Sequence, residues 1–82
     1  MSTQTQTLTD QLLNLIVTKY EAPADTTAET SFDLLDFDSL VLVEVAVALS
    51  GWYNITVSHD ELNDAGNIAG TVALLEGKGV QV

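Results

Sequence analysis

An all-α fold, a small four-helix bundle with a long loop between its first and second helices, is the architecture this sequence predicts. Three observations carry it. Apolar residues at Leu8, Leu12, Ile16 and Tyr20 recur every four positions, which is a helical stripe. Asp38 stands as a cap before an apolar run, and Ser58-His59-Asp60-Glu61 has the form of a capping box. Period-two alternation is confined to Tyr53, Ile55 and Val57, and a lone strand there has no partner.

The first helix is expected over about Leu8 to Tyr20, with Leu13 and Val17 beside the stripe. Thr7 and Asp10 form a variant capping box at its start. Pro23 lies beyond its end and cannot continue it. The polar residues before Leu8 read as a frayed terminus. A long connection follows, about Glu21 to Phe37, in which Phe32, Leu34 and Leu35 are expected to pin the loop to the core. Long loops in compact domains are often functional.

The second helix should begin at Ser39, capped by Asp38, and run to about Ser50. It is apolar almost all round, so two buried faces remain open: Leu40, Val43, Val47 and Ser50, or Leu42, Val45 and Leu49. Its valines would also suit a buried strand, but its length and cap favour a helix. Gly51 fits its end. A short helix follows Ser58 to about Asp64, and Ala65-Gly66-Asn67 breaks it. The last helix spans about Ile68 to Glu76, with Ile68, Val72 and Leu75 on one side. Gly77 and Gly79 end it, leaving a loose tail. One domain is expected over residues 1–82, its ordered core running from about 7 to 77 with loose termini.

Composition narrows the function. The chain has 82 residues, 12 acids, 2 bases and a formal net charge of −10. A polyanion is repelled by nucleic acid and by anionic membranes, so neither is an expected partner. The hydrophobic share of 46% supplies a packed core, which separates the chain from charged disordered segments. There is no cysteine, hence no thiol nucleophile and no thiolate metal site. His59 is the single histidine, so a two-histidine metal site is excluded. The N-terminus lacks a charged n-region and an apolar h-segment. The longest apolar run, Leu40 to Leu49, is broken by Glu44 and is far short of the ~20 residues that span a bilayer. A cytoplasmic location is the resulting expectation.

Catalysis finds little support in the side chains. A serine nucleophile needs a base within hydrogen-bond reach and a group to orient that base. His59 reads as a solvent-exposed residue of a first helical turn. The acids are spread as a solvated surface, whereas a general acid needs burial. Asp36-Phe37-Asp38 begins like a calcium loop. However, Leu40, Val41 and Val47 occupy the fifth, sixth and twelfth places, where oxygen, glycine and glutamate are required.

Ser39 is the remaining candidate. Its plain reading is a polar residue in a first turn, where serine is common. Helix N-termini also attract anions through free amides and the macrodipole. A phosphate ester on Ser39 would sit there, opposed by Asp36 and Asp38. With no base beside it, such a hydroxyl is better suited to modification by another enzyme than to attack.

Asp38-Ser39-Leu40 at the start of an apolar helix resembles the D-S-L signature of acyl and peptidyl carrier proteins. Leu35 before the motif, Glu44 and Leu49 within the helix, Tyr53 after it and the final helix Ile68 to Leu75 agree with that pattern. The resemblance covers nearly everything from Leu8 to Leu75. It implies a non-catalytic carrier with a 4′-phosphopantetheine arm on Ser39, attached by a phosphopantetheinyl transferase using coenzyme A. Cargo would ride on the arm as a thioester, which accounts for a chain without its own thiol. The implied partners are that transferase, an acyltransferase or adenylating ligase that loads the cargo, and a downstream synthase. The implied docking surface is the second helix, at Asp38, Leu40, Val41, Glu44 and Val47.

Two departures stand out. Asp36 occupies a place where the family commonly has glycine. The second helix carries one acid, Glu44, with Val41 where an acid is often found. A less charged docking face points to a free-standing, monomeric carrier of polyketide or nonribosomal peptide biosynthesis. Inward packing of Val41 and of Trp52 remains open at this level. The alternative is an unmodified acidic adaptor or decoy that binds a basic enzyme surface.

Overall fold

The computed structural model describes residues 3–81. Four helices make up the fold: α1 (Thr3–Lys19), α2 (Ser39–Tyr53), α3 (His59–Ala65) and α4 (Ile68–Gly77). No β-strand forms among the described residues; Tyr53 ends α2, and Ile55 to Val57 run as loop.

Each helix buries one stripe. Leu8, Leu12, Leu15 and Ile16 of α1 meet Leu42, Val45, Ala46 and Leu49 of α2, with Leu62 of α3 and Ile68, Val72 and Leu75 of α4, in one core. Of the two faces open for α2, the one with Leu42, Val45 and Leu49 is therefore the inner one. Backbones approach closely where α1 packs on α4, α2 on α3 and α3 on α4. α1 and α2 stand further apart and are bridged by side chains. The Tyr53 hydroxyl donates to Gln11 Oε1, and the Tyr20 and Phe37 rings meet edge to face at 6.4 Å.

Several expected boundaries move, each for a tertiary reason. α1 begins at Thr3, not Leu8. Thr7 is no cap; its Oγ1 donates to the Thr3 carbonyl at 2.9 Å inside the helix. The polar first turn is tied to the chain's other end. Thr5 Oγ1 donates to Glu76 Oε2 at 2.7 Å, and Gln4 Nε2 donates to the Val80 carbonyl at 3.2 Å. These bonds give the Thr/Gln segment an ordered place that local propensity does not predict. The tail beyond α4 is likewise held. Gly79, at φ +87°, turns the chain so that Val80 N–H donates to the Leu75 carbonyl at 3.1 Å and Val80 is buried. The expectation of loose ends at Met1, Ser2 and Val82 falls outside the described residues.

α2 passes through Gly51 and stops at Asn54, which takes the left-handed conformation at φ 54° and donates its N–H to the Ser50 carbonyl. An exposed helical glycine costs only ~1 kcal/mol, and asparagine adopts the left-handed cap readily. α3 and α4 open as expected. Ser58 and Glu61 form a reciprocal capping box, and Asn67 caps α4 through Gly70 N–H at 2.7 Å.

The connection from α1 to α2 is fastened at both ends and in the middle. Ala22 N–H donates to the Ile16 carbonyl at 3.0 Å, just before Pro23. Phe32 N–H reaches Gly66 O, and Ala69 N–H reaches Ala28 O, both at 2.9 Å. Phe32 and Phe37 are buried and Leu35 is half-buried, but Leu34 is 78% exposed. Leu34 is thus not the anchor it was expected to be. The stacked rings of Phe32 and Phe37, 5.9 Å apart, hold the turn without it.

Gly70 marks a tight approach of α4 to the end of α3. A β-carbon there would lie 2.3 Å from the Ala65 carbonyl oxygen, a backbone atom at the end of α3. Gly70→Ala is expected to destabilise the domain by about 1–3 kcal/mol, although alanine favours a helix. Urea unfolding measures it, and a variant as stable as the wild type would refute the close packing.

Candidate functional site

The N-terminus of α2 is built by the turn before it. Phe37 N–H donates to the Phe32 carbonyl at 3.0 Å, closing residues 32–37. Within that turn Asp36 has φ +57°. This conformation explains why glycine suits the position; aspartate is one of the few other residues that tolerate it. Asp36→Val should therefore cost about 1–2 kcal/mol from backbone strain, and Asp36→Asn should cost little. Thermal melts of the two variants check this, and equal stability would contradict it.

Asp38 ends the turn in an extended conformation and caps α2. Its Oδ1 accepts from Val41 N–H at 3.0 Å, and its carbonyl accepts from Leu42 N–H at 3.0 Å. Ser39 is the first helical residue and is exposed. The amides of Ser39 and Leu40 precede any intrahelical acceptor. Ser39 differs from the other described serines in its hydroxyl. Ser31 Oγ accepts from Leu34 N–H at 3.2 Å, Ser50 Oγ from Val57 N–H at 3.1 Å and Ser58 Oγ from Glu61 N–H at 3.2 Å. No described residue hydrogen-bonds to Ser39 Oγ.

Leu40, Glu44 and Val47 extend from Ser39 along the outer face of α2 and are exposed, as is Asp38. Val41 is half-buried and packs against the core. Glu44 lies close enough to Tyr20 to act on it: burial, and then the Glu44 charge, hold the Tyr20 phenol above its ordinary value. Val43 joins the outer face at 40% exposed. The spacing placed Leu40, Val43 and Val47 on one face but left open whether that face was the buried one, and nothing local marked Leu34 as exposed.

His59 forms no hydrogen bond with Ser39. His59 sits at the start of α3, where its Nε2 lies 3.3 Å from Asp60 Oδ1. No cluster of three or more histidines, cysteines or acids able to hold a metal ion occurs among the described residues. Lys78 Nζ pairs with Glu61 Oε2 at 2.8 Å. That bond and the Ser58 cap hold the Glu61 carboxyl below its ordinary range. No described helix is long and apolar enough to cross a membrane.

A cleft of about 740 Å³ lies between α1 and the C-terminal end of α2, where Leu15, Lys19, Trp52 and Tyr53 line it. It is at the far end of α2, about 20 Å from Ser39 along the helix axis. Trp52 is 53% exposed there, so the inward reading of this residue does not hold; its ring meets Tyr53 edge-on at 6.2 Å.

The arrangement is an accessible, unengaged hydroxyl beside free helix amides, without groups to activate it. Those features fit an externally attached phosphodiester, whose charge the amides and the helix dipole would favour. Residues 10–75 match the family model of the phosphopantetheine attachment site. No curated protein and no solved structure matches the chain. With most of its length covered by that match, the chain belongs to the phosphopantetheine-attachment family: it is a non-catalytic carrier for covalent 4′-phosphopantetheine.

Proposed function

We propose that Ser39 is the attachment residue and that the chain shuttles acyl or aminoacyl intermediates in polyketide or nonribosomal peptide assembly. The observation that carries the first part is the Ser39 hydroxyl, exposed at the first position of α2 and free of hydrogen bonds to the described residues. Bound there, the arm supplies a terminal thiol on which cargo is held as a thioester. The chain's own part is to present the hydroxyl, orient it by the Asp38 cap and receive the phosphodiester beside the Ser39 and Leu40 amides. The proton of Ser39 must leave to a base on the transferase, because His59 is engaged with Asp60 on another helix.

The pathway reading rests on the charge of α2, where Glu44 is the single acid among 15 residues. An ionic docking helix would need more. Asp38, Leu40, Glu44 and Val47 form the edge offered to the transferase, to the acyltransferase or adenylating ligase and to the synthase. Val41 contributes from a half-buried position. Two copies, each at −10, repel one another, which favours a monomer; the cytoplasm is the location proposed for it.

Incubation with coenzyme A and a broad-specificity phosphopantetheinyl transferase tests the proposal. Intact-mass spectrometry should show one added arm. An unchanged mass would refute it and leave the adaptor reading. Transfer of cargo to the loaded protein by an acyltransferase, but not by an adenylating ligase, would assign polyketide assembly, and the reverse would assign peptide assembly.

A further inference from the structure

We infer that the cleft between α1 and the C-terminal end of α2 is a ligand site, separate from Ser39, that takes a small aromatic carboxylate. The inference goes beyond the carrier role and does not depend on which residue bears the arm.

Charge sets this cleft apart from the rest of the surface. The chain carries 12 acids against 2 bases, yet the cleft lining holds Lys19 and no acid. Asp10 and Glu21, the acids that flank its α1 residues in the chain, are not part of the lining. The groove between α3 and α4 is the opposite case: Glu61 and Asp64 line it, and a carboxylate would be repelled there. Of the two bases, Lys78 is paired with Glu61 at 2.8 Å, whereas Lys19 has no partner among the described residues. A lysine in the last turn of a helix is ordinary by itself. Here it shares a concave wall with exposed aromatic surface.

That surface gives the body of the ligand. Trp52 is 53% exposed, and the Tyr53 ring meets it at an interplanar angle of 81°. The two rings form a corner, and the open indole face can take a third ring. Polar groups are available for the ligand's oxygens. The Tyr53 hydroxyl donates to Gln11 Oε1, so Gln11 Nε2 keeps its hydrogens, and the Asn14 side chain is unengaged among the described residues. The tail completes the rim: Val80 is buried and bonded to the Leu75 carbonyl, which brings Gln81 to the cleft. At about 740 Å³ the cleft has the size of a small-molecule site. A carboxylate on the Lys19 ammonium with its ring against Trp52 satisfies both features, since charge-assisted hydrogen bonds are the stronger ones.

The test is a titration of the full chain with hydrocinnamate, followed by amide NMR shifts and by the emission of Trp52, the single tryptophan. Saturable shifts at the cleft residues are expected, with half-saturation at or below about 5 mM. The uncharged hydrocinnamamide should bind roughly threefold more weakly or worse, the loss of one exposed ion pair. Lys19→Gln should weaken the acid by about the same factor and leave the amide within about twofold. Trp52→Ala should weaken both about tenfold, and Ser39→Ala neither. Lys19 is exposed, so its variant keeps the fold, which thermal melting confirms; it decides the matter if Trp52→Ala does not fold. Shifts that fail to saturate by about 20 mM would overturn the site. So would an amide that binds as tightly as the acid, or acid binding unchanged in Lys19→Gln. Sedimentation showing a wild-type dimer that Trp52→Ala dissociates would also overturn it, in favour of a second copy. A chain that gains no arm would overturn the Ser39 reading alone.

Discussion

Ser39→Ala is expected to abolish arm attachment completely while leaving the domain folded. The two halves of that expectation have separate causes. Attachment is lost under the proposal that Ser39 Oγ is the reacting atom; the other described serine hydroxyls are engaged in the turn at Ser31, in the Ser50–Val57 pair and in the Ser58 cap. Folding is retained because Ser39 is exposed and makes no side-chain hydrogen bond, while the Asp38 cap still satisfies Val41 N–H. Alanine also favours a helix more than serine does. The stability change should stay within about 0.5 kcal/mol. Circular dichroism and intact mass on one preparation separate loss of the site from loss of the fold.

Leu49→Ala is expected to have the largest effect on stability. Leu49 is 0% exposed, on the face of α2 that carries Leu42, Val45 and Ala46 into the core. Removing its branched end forfeits burial and leaves a cavity, at a cost of about 2–5 kcal/mol. A core of this size supplies only about 3–5 kcal/mol of net stability. Much of the variant should therefore be unfolded at 25 °C. Val47→Ala, two residues away on the outer face, should change stability by less than about 0.5 kcal/mol. Urea titrations of the pair report the contrast. Similar losses at both positions would contradict the assigned faces of α2.

The legibility of the fold followed the range of the interactions. Local signals were readable: the Asp38 cap, the Ser58–Glu61 box and the stripe of α1 are patterns within one or two helical turns. The inner face of α2 was not, because apolar residues surround the helix and only its neighbours select Leu42, Val45 and Leu49. The start of α1 was not, because its first turn depends on Glu76 and Val80, over seventy positions away. Gly51 resembled a stop, but Asn54 took that role three residues later.

At the site, Asp38 and Ser39 were readable as a cap and a first-turn hydroxyl. Asp36 appeared as a departure from the family pattern, and its φ of +57° supplies the reason for the pattern. Leu34 was expected to anchor the loop. Its exposure depends on Phe32 and Phe37 stacking beneath the turn, a contact that no spacing in the sequence announces.

Attachment at Ser39 is the central claim, and fragmentation mass spectrometry of the intact, transferase-treated protein tests it most directly. The added phosphopantetheine mass should localise to Ser39 alone. Localisation to Ser31, Ser50 or Ser58, or a protein with no added mass, would contradict it.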